Sequence, residues 1–118
     1  MKSAEYWIKK LQLQKHPEGG WFREIYRSPE IVQVYHAKRK STVERNVSTS
    51  IYYLLEGNDF SAFHRIKSDE TWHFYIGTSA IEILMIEKGE LKIYKLGRNL
   101  EEKEHLQFTV PKNSWFAN

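Results

Sequence analysis

The chain contains no cysteine in its 118 residues. That excludes disulfides, thiolate metal sites and a cysteine nucleophile together. Proline is scarce at three residues and glycine at six, and no low-complexity tract or linker divides the chain. Apolar runs stay far below the roughly 18 residues that a membrane helix needs. The first apolar stretch, near Trp7 and Ile8, is broken at once by Lys9 and Lys10, which does not suit a secretory leader. These absences predict a cytoplasmic protein with no membrane partner, in which Asn46-Val47-Ser48 is not a glycosylation site. Charge of one sign is also in small excess, at a formal +3. The basic stretch Lys38-Arg39-Lys40, with Arg45 beyond it, is short and no helix carries it into a groove. It reads as a solvated loop, so no nucleic-acid partner is expected.

What is present is bulk. Four Trp, seven Tyr and six Phe, in a chain that is 41% apolar, are enough to fill one core in a single domain over residues 1–118. Ser3 is a helix N-cap candidate with Glu5 in the first turn, and Ala4, Trp7, Ile8 and Leu11 recur at helical spacing. This predicts a helix over about 4–12, closed by His16-Pro17 and followed by a turn at Glu18-Gly19-Gly20. Everything later reads as strand: 21–26, 31–35, 47–55, 60–66, 71–76, 80–86, 91–96, 106–110 and 114–117. Turn signals recur every eight to twelve residues with no helical pattern between strands. The expectation is an all-β sandwich or barrel over about 20–117.

The chemistry-bearing groups concentrate around His64 and Glu70. Alternation places Phe60, Ala62, His64 and Ile66 on one mostly apolar face, and Glu70, Trp72 and Phe74 on another. If 60–66 and 71–76 form a hairpin, His64 sits opposite residue 71 or 72. Glu70 is then one diagonal step away, about 7–8 Å between side-chain bases. A His and a carboxylate inside an apolar barrel perturb each other's protonation and suit acid–base work. The same pair also fits two members of a metal set, or a hydrogen-bonded pair that only orients the core. Zinc, iron or nickel needs three or four ligands. His73 is the available third, but alternation turns Thr71, His73 and Tyr75 away from Glu70 unless a bulge intervenes. Arg23 reads either as an anchor for a phosphate or carboxylate or as the ion-pair partner of a neighbouring acid such as Glu24. Tyr53, or its neighbour Tyr52, offers a phenol to a pocket or to core packing. Trp72 and Trp115 are candidates for its aromatic floor.

Two stretches, 60–77 and 107–116, resemble the paired motifs of the cupin superfamily. The first cupin motif carries a His pair, a Glu some four residues on, and a Gly seven residues past the Glu; His64, Glu70 and Gly77 match. The second begins with Pro, matched by Pro111. Stretches 16–28, 50–55 and 68–75 resemble one cupin branch known as a domain of unknown function. The resemblance runs from about Leu11 to the C-terminus. It implies a double-stranded β-helix with one short N-terminal helix, usually a homodimer, akin in fold to nucleotide-sugar epimerases. In that comparison His64 is the base, Glu70 orients it, Tyr53 or Tyr75 is the acid, and Arg23 grips an anionic group. Trp72, Tyr75 and Trp115 then help to bind the substrate. The departures matter as much. Metal-holding cupins use three His and one Glu, and here Ile66 stands at the second His position and Phe116 at the third. Asn113 stands for a Gly, and the C-terminal strands that close related barrels are expected to be missing. The reading that follows is a metal-independent isomerase or epimerase, without a cofactor, acting on a sugar-like or other polar anionic small molecule. The alternatives are a non-catalytic binding module and a metal-dependent oxygenase or isomerase using His64, Glu70 and His73.

Overall fold

One α-helix and eleven strands make up the described part of the computed structural model, residues 1–36 and 38–118. They fall into two compact units, Met1–Asp59 and Phe60–Asn118.

In the first unit, helix α1 is Ala4–Lys10. Ser3 caps it as expected, its Oγ accepting the Tyr6 N–H at 3.2 Å. Glu5 near the start and Lys9 and Lys10 near the end oppose the helix dipole. The helix is shorter than predicted. Leu11 is already the cap, and Gln12 takes a left-handed φ of 54°, so His16-Pro17 does not end it. Gln14–Lys15 instead form a short strand β1 against β2 (Trp21–Arg27). The turn between them is tied by the His16 N–H to the Gly20 carbonyl at 2.9 Å. Gly20, at φ 79°, supplies backbone that other residues adopt only with strain. Strand β2 continues the sheet to β5 (Thr49–Leu54), pairing Trp21 with Leu54, Phe22 with Tyr53 and Arg23 with Tyr52, with a bulge between Glu24 and Tyr26.

Strands β3 (Ile31–His36) and β4 (Ser41–Asn46) form a separate hairpin. The basic loop therefore needs correcting. Lys38, Arg39 and Lys40 do lie in a turn, but Arg45 belongs to β4, opposite Val32. Charge at Glu44 and Arg45 hid a strand whose outer positions face water, where β-pairing tolerates polar side chains.

In the second unit, β6 (His64–Arg65), β8 (Ile81–Glu87), β9 (Glu90–Leu96) and β11 (Trp115–Ala117) form a sheet in the order β6-β11-β8-β9. Strands β7 (Glu70–His73) and β10 (Gln107–Val110) form a second, two-stranded sheet. A 3-10 turn at Leu100–Glu102 precedes β10. The β8–β9 hairpin turns through Lys88 and Gly89, both at positive φ (50° and 78°), the left-handed pair that suits a two-residue hairpin loop.

The expected strand over 60–66 contracts to His64–Arg65. Phe60 is exposed and Ser61 is buried, with its N–H and hydroxyl both donating to Asn118. The expected hairpin between that strand and β7 is also absent. Strand β6 pairs with β11, and β7 pairs with β10. Beneath this lies a simpler pattern. His64 is opposite Phe116, and Glu70 is opposite Val110, so both strands advance six residues between the two sheets. The Asn113 N–H reaches the Ile66 carbonyl at 2.7 Å, and the Lys112 N–H reaches Asp69 Oδ1 at 2.9 Å, holding the bend. Segments 64–73 and 107–116 thus run antiparallel on both sides of a bend, with the same register in the two paired stretches. Because side chains alternate with a period of two, even-numbered positions on both segments share the inward face. The core follows that parity: Val110 and Phe116 are buried with Ile83, Met85 and Leu96, and Ile66, Trp72, Phe74 and Phe108 pack against them.

Candidate functional site

On this inward face the structure places His64, Glu70 and Trp72, all half-buried, among apolar neighbours. They reach it from strands on either side of the bend, not across a hairpin. The His64 ring packs against Phe116, with centroids 4.4 Å apart. Its Nδ1 lies 2.9 Å from the Ala62 carbonyl oxygen. A carbonyl only accepts, so in the neutral ring Nδ1 carries the proton and Nε2 carries the lone pair. That tautomer suits a base.

The other predicted members divide between faces. His73 and Tyr75 are exposed on the outward side and stack on one another, with centroids 6.5 Å apart. Trp115, at 47% exposure, leaves β11 on the face opposite Phe116, with the Arg65 guanidinium over its ring at 5.8 Å. The expectation that Tyr75 and Trp115 line the same pocket as His64 is therefore corrected: strand parity turns both away from it.

A cupin metal set does not fit the residues present. His64 and Glu70 occupy two of the four motif positions, while Ile66 and Phe116 fill the others with hydrocarbon. His73 lies on the reverse of the strand that carries Glu70, and among the described residues no cluster of three or more His, Asp or Glu side chains assembles.

In the first unit, Arg23 is exposed and its Nη1 donates to the Leu11 carbonyl at 3.2 Å. It shares its face of the sheet with Tyr52, its cross-strand partner. Tyr53 projects from the other face. It packs edge-on to His16 at 5.8 Å and donates its hydroxyl to the Gly19 carbonyl at 2.7 Å. Arg23 and Tyr53 thus point away from each other. Sequence reasoning assigned no role to Arg98, Asn99 and Glu104, which lie between the predicted strands 91–96 and 106–110. The glycine at position 97 beside them was the available signal, and the structure shows the close approach it serves, with the Glu104 carboxylate against it.

Among the described residues, no helix is long and apolar enough to cross a membrane. The profile of the family described as "Cupin superfamily (DUF985)" matches residues 5–118. The chain belongs to this cupin family. It is 32% identical over 115 residues to the uncharacterized protein YML079W of Saccharomyces cerevisiae, covering 92% of the cupin chain and 57% of the yeast protein. The cupin chain thus spans less than two thirds of that relative's length. It also superimposes on a hypothetical protein from Leishmania major with a TM-score of 0.85 at 33% identity, covering 98% of this chain and 69% of that one. For protein SO0799 from Shewanella oneidensis the TM-score is 0.82 at 38% identity, covering 99% and 68%. The fold class is therefore the all-β cupin jelly roll with one short N-terminal helix.

Proposed function

We propose that this cupin is a metal-independent isomerase or epimerase acting on a polar, anionic small molecule of the sugar type. The reading is carried by one observation: His64, its Nδ1 2.9 Å from the Ala62 carbonyl oxygen, shares an apolar inward face with Glu70. In the proposed step Nε2 takes the proton from a carbon next to a carbonyl. The C–H electron pair becomes a C=C bond as the carbonyl π pair moves onto oxygen, giving an enolate; a solvent water then delivers a proton to the carbon from the opposite face, the carbonyl re-forms, and the imidazolium gives its proton to the resulting hydroxide. Glu70 stabilises the transient imidazolium, and Trp72 gives the sugar ring an apolar wall.

The test is hydrogen–deuterium exchange in heavy water, read by proton NMR, against a panel of phosphorylated and nucleotide-linked sugars. A ligand that loses its C–H signal with the wild-type protein, and keeps it with His64→Ala, supports the proposal. Exchange that persists in His64→Ala overturns the assignment of the base. Tight binding without exchange identifies a non-catalytic binding module. A near-stoichiometric transition metal in protein purified without chelator refutes metal independence.

A homodimer belongs to the same reading. Hairpin β3–β4 pairs with no third strand among the described residues and exposes Ile31 and Tyr35 on one face and Val32 and Val34 on the other. A two-stranded ribbon is marginal alone in water, so a second copy that covers it is favourable. Light scattering should give twice 14.1 kDa; a monomer at micromolar concentration removes the dimer.

A further inference from the structure

The second unit holds a cleft that borders the inward face at Phe74 but includes neither His64 nor Glu70. Its volume is about 230 Å³. One wall is the 77–80 turn that leads into β8, with the hydroxyls of Thr78 and Ser79. The other is the loop after β9, which presents Arg98 and Glu104, and Phe74 contributes an apolar surface.

This loop is fixed by its backbone. The Gly97 N–H donates to the His105 carbonyl at 2.9 Å, and the His105 N–H donates to the Lys95 carbonyl at 2.8 Å. Within it the Glu104 carboxylate lies directly over Gly97, in space that any larger residue's Cβ would claim. Its Oε1 accepts the Asn99 N–H at 3.0 Å. A carboxylate accepts about four hydrogen bonds, so Glu104 is held in place with capacity left for a ligand. Arg98 is exposed and makes no ion pair among the described residues. Two opposite charges therefore line one small cleft without bridging each other.

We infer that this cleft binds a zwitterion of the α-amino-acid class. The Arg98 fork takes the carboxylate, Glu104 takes the ammonium, and the hydroxyls of Thr78 and Ser79 serve the polar atoms between. Phe74 bounds the aliphatic part. The size agrees, because the volume lies below the roughly 300–1,000 Å³ of clefts for drug-sized ligands. The assignment stands independently of the isomerase reading, since it uses neither His64 nor Glu70.

The experiment is a nitrogen–proton correlation NMR titration of the full chain with L-serine, glycine, lactate and ethanolamine. The two amino acids should shift amides in 77–80 and 97–105 and bind at least tenfold more tightly than lactate, which lacks the ammonium, or ethanolamine, which lacks the carboxylate. Arg98→Gln and Ser79→Ala, both on the rim, should weaken serine binding tenfold or more and about threefold respectively, while leaving the melting temperature unchanged. Equal binding of serine and lactate removes Glu104 from the site and overturns the zwitterion. Shifts confined to other residues, or no shift at 10 mM ligand, overturn the site itself.

Discussion

The register shared by the two paired stretches makes a demanding prediction: converting Ile66 and Phe116 to His should create a metal site where the wild-type chain has hydrocarbon. Both positions share the inward parity of His64 and Glu70, and Phe116 is directly opposite His64. The metal-free cost is considerable. Phe116 is 1% exposed, and truncating a core Phe to Ala costs about 3–5 kcal/mol. A buried imidazole recovers some packing but adds a polar ring to desolvate. A net loss of about 3–4 kcal/mol is expected from Phe116→His alone, a large share of a small protein's roughly 5–15 kcal/mol. A metal at a thousand times its dissociation constant returns about 4 kcal/mol. The double variant should therefore melt well below wild type without metal and rise by about 10–20 °C in zinc. Scanning calorimetry with and without zinc measures this, and cobalt loading gives a visible spectrum of the ligand set. The control is Trp115→His, one residue along on the outward face, which should gain nothing from zinc. If it responds as strongly as Phe116→His, or if the folded double variant ignores metal, the shared register is wrong.

Three further perturbations probe local parts of the fold. Gly20→Ala puts an L-residue at φ 79° with its Cβ 2.9 Å from the Leu54 carbonyl oxygen; the left-handed backbone alone costs about 1–2 kcal/mol, so the urea midpoint should fall by more than that cost implies, and an unchanged midpoint refutes the turn. Ser3→Ala removes the acceptor for the Tyr6 N–H and should cost about 1 kcal/mol by the same assay; no loss means that the helix start is frayed. Tyr94 donates its hydroxyl to the Glu87 carboxylate, and that hydrogen bond, before burial and the carboxylate's charge, raises the phenol above its ordinary value of 10. A raised native value means that the bond's stabilisation is complete below pH 10 and lost as pH climbs through the native value. Ultraviolet titration should show one late tyrosine that disappears in Tyr94→Phe; identical curves for the two proteins refute the bond.

How far the sequence carries the reader is decided by the range of each interaction. The Ser3 cap, the even–odd alternation of 70–75 and the turn at Lys88-Gly89 depend on neighbours in the chain, and they are legible because side-chain period and backbone sterics are local. The pairing of β6 was not legible. A short connection between two apparent strands ordinarily means a hairpin, and nothing near Lys67 or Asp69 shows that their partners are Ile66 with Asn113 and Asp69 with Lys112 across the chain. Strand β4 was hidden by its charges, and helix α1 stopped early because Gln12, a residue with no turn preference, takes a positive φ.

The reading of the inward face survived this error in topology for a physical reason. Strands β6 and β7 lie on either side of the bend, and on each the even positions are the half-buried ones, which puts His64 and Glu70 on the inward side. Face membership is thus a property of the strand itself, whereas who sits opposite whom is a property of the fold. The same rule removes His73, Tyr75 and Trp115 from the group. Ile66 and Phe116 obey it too, although they carry no chemistry, which places the departures from the cupin metal motif on the face where the motif's ligands belong. A lost histidine at a position facing solvent would say nothing about metal. Hydrocarbon at two inward positions, packed against the core, offers no donor atom to a metal, and that is the physical ground for testing proton transfer before metal chemistry.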